Sequence, residues 1–184
     1  MRLAAHRHAL PLLGVISFIE SSIFPIPPDV MLVPMVLANR ARALLIALVC
    51  TVGSVAGGVA GYAIGYFLFE AVGTRILEIY GYTHEFEVLR AQFNEYGIWL
   101  VIAAGLTPLP YKVFTIASGV AGLPIGIFLT GSILSRGLRF FAEAILLWWI
   151  GEPIRRFVEN NLQWVATAAL VLLIGGFVVL RWLA

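Results

Sequence analysis

Charge is scarce in this chain. Asp, Glu, Lys and Arg make up 12% of the residues, where a soluble domain carries about a quarter. An ordinary water-facing fold is therefore excluded. The net charge is only +2, and the basic residues are scattered, so a nucleic-acid surface is not expected. Cysteine occurs once, at Cys50. That excludes an internal disulfide and a cysteine-built metal site, and it is silent on compartment. Of the three histidines, His6 and His8 sit in the leader and His84 in a polar stretch. None is near the acids of the apolar runs, so no metal is expected. A serine-centred nucleophile motif, a phosphate-cradling glycine loop and a zinc signature are all missing. The expectation is a protein that is not an enzyme and has no cofactor. No long Ser/Pro-rich or charged linker divides the chain, so residues 1–184 read as a single domain.

Apolar residues are abundant, at 61%, and several runs approach the roughly 20 residues that span a bilayer. The class is an all-α integral membrane protein. The basic leader MRLAAHRH precedes an apolar run, but no A-x-A-like site follows, so cleavage as a signal peptide is not expected.

The run from about Ala9 to Ala38 is interrupted by ESSIFPIPPD, residues 20–29. Pro25, Pro27 and Pro28 prevent one continuous helix from crossing it. Its length of about 30 residues is too short for two crossings and long for one. A re-entrant hairpin with arms 9–22 and 30–38 fits, with Glu20 and Asp29 at its tip. A second apolar run, about Ile98 to Gly122, is broken at Pro108 and Pro110 in LTPLPYK and carries Lys112. Two interrupted apolar segments in corresponding halves point to a transporter-type site.

Between them, Leu44–Phe69 reads as a transmembrane helix with Gly53, Gly57, Gly61 and Gly65 four apart. One face is thus a groove for a close helix neighbour, one of the broken hairpins or a second copy of the chain. Residues 70–97 hold five acids and two bases among periodic apolar residues, expected as an amphipathic connector on the membrane surface. Pro124 opens a helix running to about Ile150. On it Ser132, Arg136, Arg139 and Glu143 are spaced to share one face, with Arg139 and Glu143 able to pair. Gly151–Asn161 is expected as a polar loop. Residues 162–183 read as a last transmembrane helix with Trp164 and Trp182 near its ends.

The halves 9–69 and 98–150 thus each hold a broken hairpin and a long helix, as an inverted repeat would. With Arg2, Arg7, Arg40, Arg42, Arg155 and Arg156 on one side, the positive-inside rule puts the N-terminus in the cytoplasm. Glu20, Asp29, Lys112, Arg136, Arg139 and Glu143 form the intramembrane charge set, three acids and three bases. They are either ion pairs that pin hairpins to helices, or the lining of a polar cavity. In the second case the bases suit an anion, most naturally a phosphate, and the acids suit proton exchange.

An acid ahead of FPIPPD, the glycine helix ending GYAIGYF, then GLTPLPYKVFTIASGVAG and GSILSRGLRFFAEA together resemble the DedA superfamily, also called the VTT-domain or SNARE-associated Golgi protein family, and within it the small YqaA-like bacterial branch. The resemblance spans about Ser17 to Ile150. It implies two opposed re-entrant hairpins in the bacterial inner membrane. It also implies flippase or scramblase transport of lipids such as undecaprenyl phosphate or phospholipid, with links to proton-motive force and envelope homeostasis. It suggests Glu20 and Asp29 as the acidic pair. Where the family has an arginine after the second hairpin's first proline, this chain departs, with Lys112 offset by about one position. A proton-coupled solute transporter and a structural membrane factor are the competing readings. The expected partners are phosphate-headed membrane lipids, with protons as the candidate coupling ion and a homodimer permitted by the glycine groove.

Overall fold

The computed structural model describes residues 8–22, 27–107 and 111–160. The breaks at Pro25, Pro108 and Pro110 and the helix expected over 162–183 lie outside the described residues. Those described are helical, with α1 Ala9–Ser22, α2 Asp29–Ala38, α3 Ala43–Leu68, α4 Thr74–Tyr80, α5 Thr83–Leu106, α6 Tyr111–Val120 and α7 Ile125–Asn160.

Helix α2 starts where the sequence permits it. The carbonyl of Pro28 accepts from Met31 and Leu32 N–H, and Asp29 occupies the first turn, where a negative charge meets the positive end of the helix dipole. Pro34 lies inside α2, so this short arm is one backbone bond weaker than its length suggests.

The glycine stripe explains how the helices assemble. A Cβ on Gly53 or Gly57 would strike the backbone carbonyls of Gly14 or Phe18 in α1. At Gly61 or Gly65 it would strike the Thr115 hydroxyl or the Ile116 carbonyl in α6. One half of the stripe therefore seats α1 and the other half seats α6. The groove is filled from within the chain, by an arm of each expected hairpin.

These contacts also fix direction. Gly14, Phe18 and Ser21 advance with Gly53, Gly57 and Gly61, so α1 runs parallel to α3. Tyr111 and Ile116 advance with Gly58 and Gly65, so α6 also runs parallel to α3. Ser54 meets Arg136 while Gly58 meets Phe128, so α7 is antiparallel to α3. Asp29 meets Arg139 and Leu37 lies beside Gly151, so α2 is parallel to α7. Val101 packs at Gly131 and Gly105 at Ser135, so α5 also follows α7. Thus α3 seats α1 from its own half and α6 from the other, while α7 seats α5 from its own half and α2 from the other.

Two segments differ from expectation. Residues 70–97, expected as one or two amphipathic helices, are helical, but they run on from the neighbouring apolar helices and are not set apart from them. Helix continues from Arg40 to Tyr80, through a π-helical turn at Phe69–Gly73. It stops at Gly81, whose φ of 72° ends α4 in a left-handed cap. Helix α5 then returns unbroken through Gly97 into the apolar run. At 1.5 Å per residue, 41 residues reach about 60 Å, twice the hydrocarbon thickness, so this pair of helices extends beyond it. The polar stretch 151–160 is helical too, as the end of α7. Pro153 does not end it.

Burial is inverted relative to a soluble protein. Leu48, Val52, Phe67, Leu134, Leu138 and Trp149 face outward, while Ser17, Ser21, Ser54, Ser118, Ser132 and Arg136 are buried. An apolar exterior over helices long enough to cross a bilayer, Arg40–Tyr80 and Ile125–Gly151, is what a hydrocarbon solvent selects.

Candidate functional site

Arg136 is the centre. It lies midway along the apolar part of α7 and is 1% exposed. A buried guanidinium is tolerated only with complete pairing. Its Nη2 donates to Glu20 Oε2 at 2.8 Å, and its Nε donates to Ser54 Oγ at 2.6 Å. Its Cζ stands 4.8 Å from the ring centroids of both Tyr111 and Phe140, a cation–π distance.

The hydroxyls complete a ring. Arginine can only donate and an ionised carboxylate can only accept. Ser54 Oγ accepts from Arg136, so its own proton points to Ser21 Oγ, 2.7 Å away. Ser21 in turn donates to Glu20 Oε2 at 2.9 Å. Four hydrogen bonds therefore link Arg136, Ser54, Ser21 and Glu20, from α7, α3 and α1. Helix polarity assists them. Glu20 lies in the last turn of α1, where the dipole disfavours an acid and favours the cation that meets it.

Tyr111, at the start of α6, brings in the fourth element. Its hydroxyl donates to Ser132 Oγ at 2.6 Å. Thr115 Oγ1, one turn on, reaches the Ser21 carbonyl at 3.4 Å. The ends of the two broken segments thus meet around one arginine.

A second pair lies one turn along α7. Arg139 Nη2 donates to Asp29 Oδ2 at 2.8 Å, with side chains 28% and 31% exposed. The partner of Arg139 is therefore on α2. Glu143, a further turn on and partly buried, lies within reach of both Asp29 and Arg139. Lys112 is half-buried beside Tyr111, while Glu20 and Asp29 are held by the two arginines. Ser21, Ser54, Tyr111 and Phe140 are the contributors that sequence reasoning missed. Their only signal was hydroxyls and rings at helical spacing from the charges, which many apolar helices carry. Among the described residues no group of three or more His, Cys, Asp and Glu could hold a metal. One cavity among the described residues is apolar and lies between α1 and α3, lined by Phe18, Val52 and Ala56. No charged residue lines it.

Outward apolar helices around a buried, paired set of charges define a helical membrane protein with a polar heart. The match to known proteins is specific. The VTT domain model fits residues 26–149, and the chain belongs to that family, the DedA superfamily. An uncharacterized protein of Haemophilus influenzae is 34% identical over 181 residues, covering 98% of this chain and 94% of its own. An uncharacterized protein of Histophilus somni is 35% identical over the same shares. No solved structure matches the chain.

Proposed function

We propose that this protein moves a phosphate-headed lipid across the bacterial inner membrane, with Arg136 as the group that receives the headgroup. One observation carries the reading: Arg136 is buried where α1, α3, α6 and α7 meet, and its guanidinium is held by a carboxylate, Glu20, through Nη2 and by the Ser54 hydroxyl through Nε. A phosphate, like a carboxylate, can offer two oxygens to a guanidinium fork, and it carries more charge. It would take the place of Glu20 on the guanidinium, and Arg139 would add a second fork. The alternate pairing of short and long helices supports two opposed re-entrant hairpins in an inverted repeat. Alternating access is then rocking of one half against the other about the arginine. Arg40 lies beside Gly151, so the start of α3 and the Gly151 part of α7 share one face, and the positive-inside rule supports a cytoplasmic side for it.

The test is translocation of fluorescent phospholipid and of a polyprenyl phosphate in proteoliposomes. Movement by the wild type, lost in Arg136→Ala and in Glu20→Ala, supports the reading. Wild-type rates in both variants defeat it.

A second reading is favoured by the closed ring of hydrogen bonds, in which the charges only hold hairpins to helices. It expects Glu20→Asp with Arg136→Lys to leave envelope function intact. Lipid transport expects that pair to fail, because lysine offers a point charge and not a fork.

A further inference from the structure

Two of the three acids of the site are each held by an arginine. Arg136 neutralises Glu20 and Arg139 neutralises Asp29. Glu143 remains. It follows Arg139 by four residues, so the two lie on one face of α7, about 6 Å apart along the axis. That face is the one that meets Asp29 at the start of α2. Among the described residues, the charged groups acting on Glu143 are Asp29 from α2 and Arg139 from its own helix. From α3 the neighbouring group is the buried Cys50 thiol. The acid of α1, Glu20, is engaged by Arg136.

Asp29 shows the other half of the problem. Oδ2 accepts from Arg139, but Oδ1 is buried and has no hydrogen-bond donor among the described residues. An orphaned carboxylate oxygen is costly. The Glu143 carboxyl is within hydrogen-bonding reach of the Asp29 carboxyl. Two ionised carboxylates at that separation repel and cannot bond, since both only accept. One proton between them removes the repulsion, supplies the missing donor and makes the three-residue group neutral.

We propose that Asp29 and Glu143 share one proton, and that Glu143 loads and releases it. Asp29 is fixed as the ionised partner by Arg139, as a pair of coupled acids divides when one has a cation of its own. Release of the proton leaves a net negative group beside Arg139 and loosens α2 from α7. Proton loading thus becomes a control on the closed arrangement. The inference concerns the charged site of the transport reading and rests on it for its biological sense, but its test is independent of transport.

Infrared spectroscopy of the full-length protein in lipid nanodiscs, without added substrate, reads protonated carboxyl groups directly. The wild type should show a carboxylic-acid C=O band at neutral pH that moves on H/D exchange and vanishes at alkaline pH. Glu143→Gln should abolish it. Asp29→Asn should abolish it as well, because Glu143 then ionises against Arg139; this variant serves if Glu143→Gln does not fold. Glu20→Gln should retain it. A wild type without the band, or a band that persists in Glu143→Gln and Asp29→Asn, overturns the shared proton. With the band intact and no lipid movement by the wild type, the transport reading falls and the shared proton stands.

Discussion

Glu20 and Arg136 are 116 residues apart in the chain and 2.8 Å apart in the fold. The arginine is 1% and the acid 17% exposed in their side chains. Removing one partner of a buried pair strands the other, which typically costs about 3–5 kcal/mol. Replacing both by apolar residues of similar volume is often close to neutral. Glu20→Leu alone should therefore lower the unfolding temperature in detergent sharply, and Glu20→Leu with Arg136→Met should restore most of it. Scanning fluorimetry of the purified variants checks this. A double variant no more stable than the single one would remove the pair from the list of structural constraints.

The hydroxyls of Ser21 and Ser54 act as one unit, because each passes a hydrogen bond to the next between Arg136 and Glu20. Ser54→Ala leaves Arg136 Nε without its acceptor, a buried donor worth about 1–3 kcal/mol. Ser21→Ala breaks the same ring at the next step. The losses should be non-additive, with the double variant costing about as much as Ser54→Ala alone. Strict additivity in a double-mutant cycle would mean that the two serines act separately.

The charges were legible in the sequence and their partners were not. Glu20, Asp29, Arg136 and Arg139 stand out because ionised groups in apolar runs are rare. Periodicity can pair Arg139 with Glu143 on one helix, and that local reading was the natural one. The contact with Asp29 depends on how α2 lies along α7, which no local pattern reports. Helix runs on past 70, 97 and 151, where the composition changes, for a related reason. A switch from apolar to polar residues marks where a helix leaves hydrocarbon, and the helix itself need not end there.

The glycine stripe was legible as a groove, and its two-part occupancy supplies a graded prediction. Gly57→Val and Gly65→Val place side chains against the backbone carbonyls of Phe18 and Ile116. Backbone cannot yield as a flexible side chain can, and overpacking of this kind costs about 1–3 kcal/mol or more. Both variants should be strongly destabilised. Gly126→Ala, with nothing within 4 Å of the added carbon, should be tolerated. Expression level and monodispersity on size exclusion read the difference. Equal tolerance at all three positions would contradict the close approach of α1 and α6 to α3.

The antiparallel arrangement of α3 and α7 makes a prediction about sidedness. Arg40 lies against Gly151, so residues 42 and 155 belong to one end of the molecule, and Gly81, at the far end of the α3–α4 helix, to the other. In a Cys50→Ser background, single cysteines at 42 and 155 should react with a membrane-impermeant reagent from one side of inverted membrane vesicles. A cysteine at 82 should react only from the opposite side. By the positive-inside rule the side of 42 and 155 is expected to be the cytoplasmic one. Labelling of 42 and 155 from opposite sides would break the pairing of the two long helices, and with it the meeting of the two halves at Arg136.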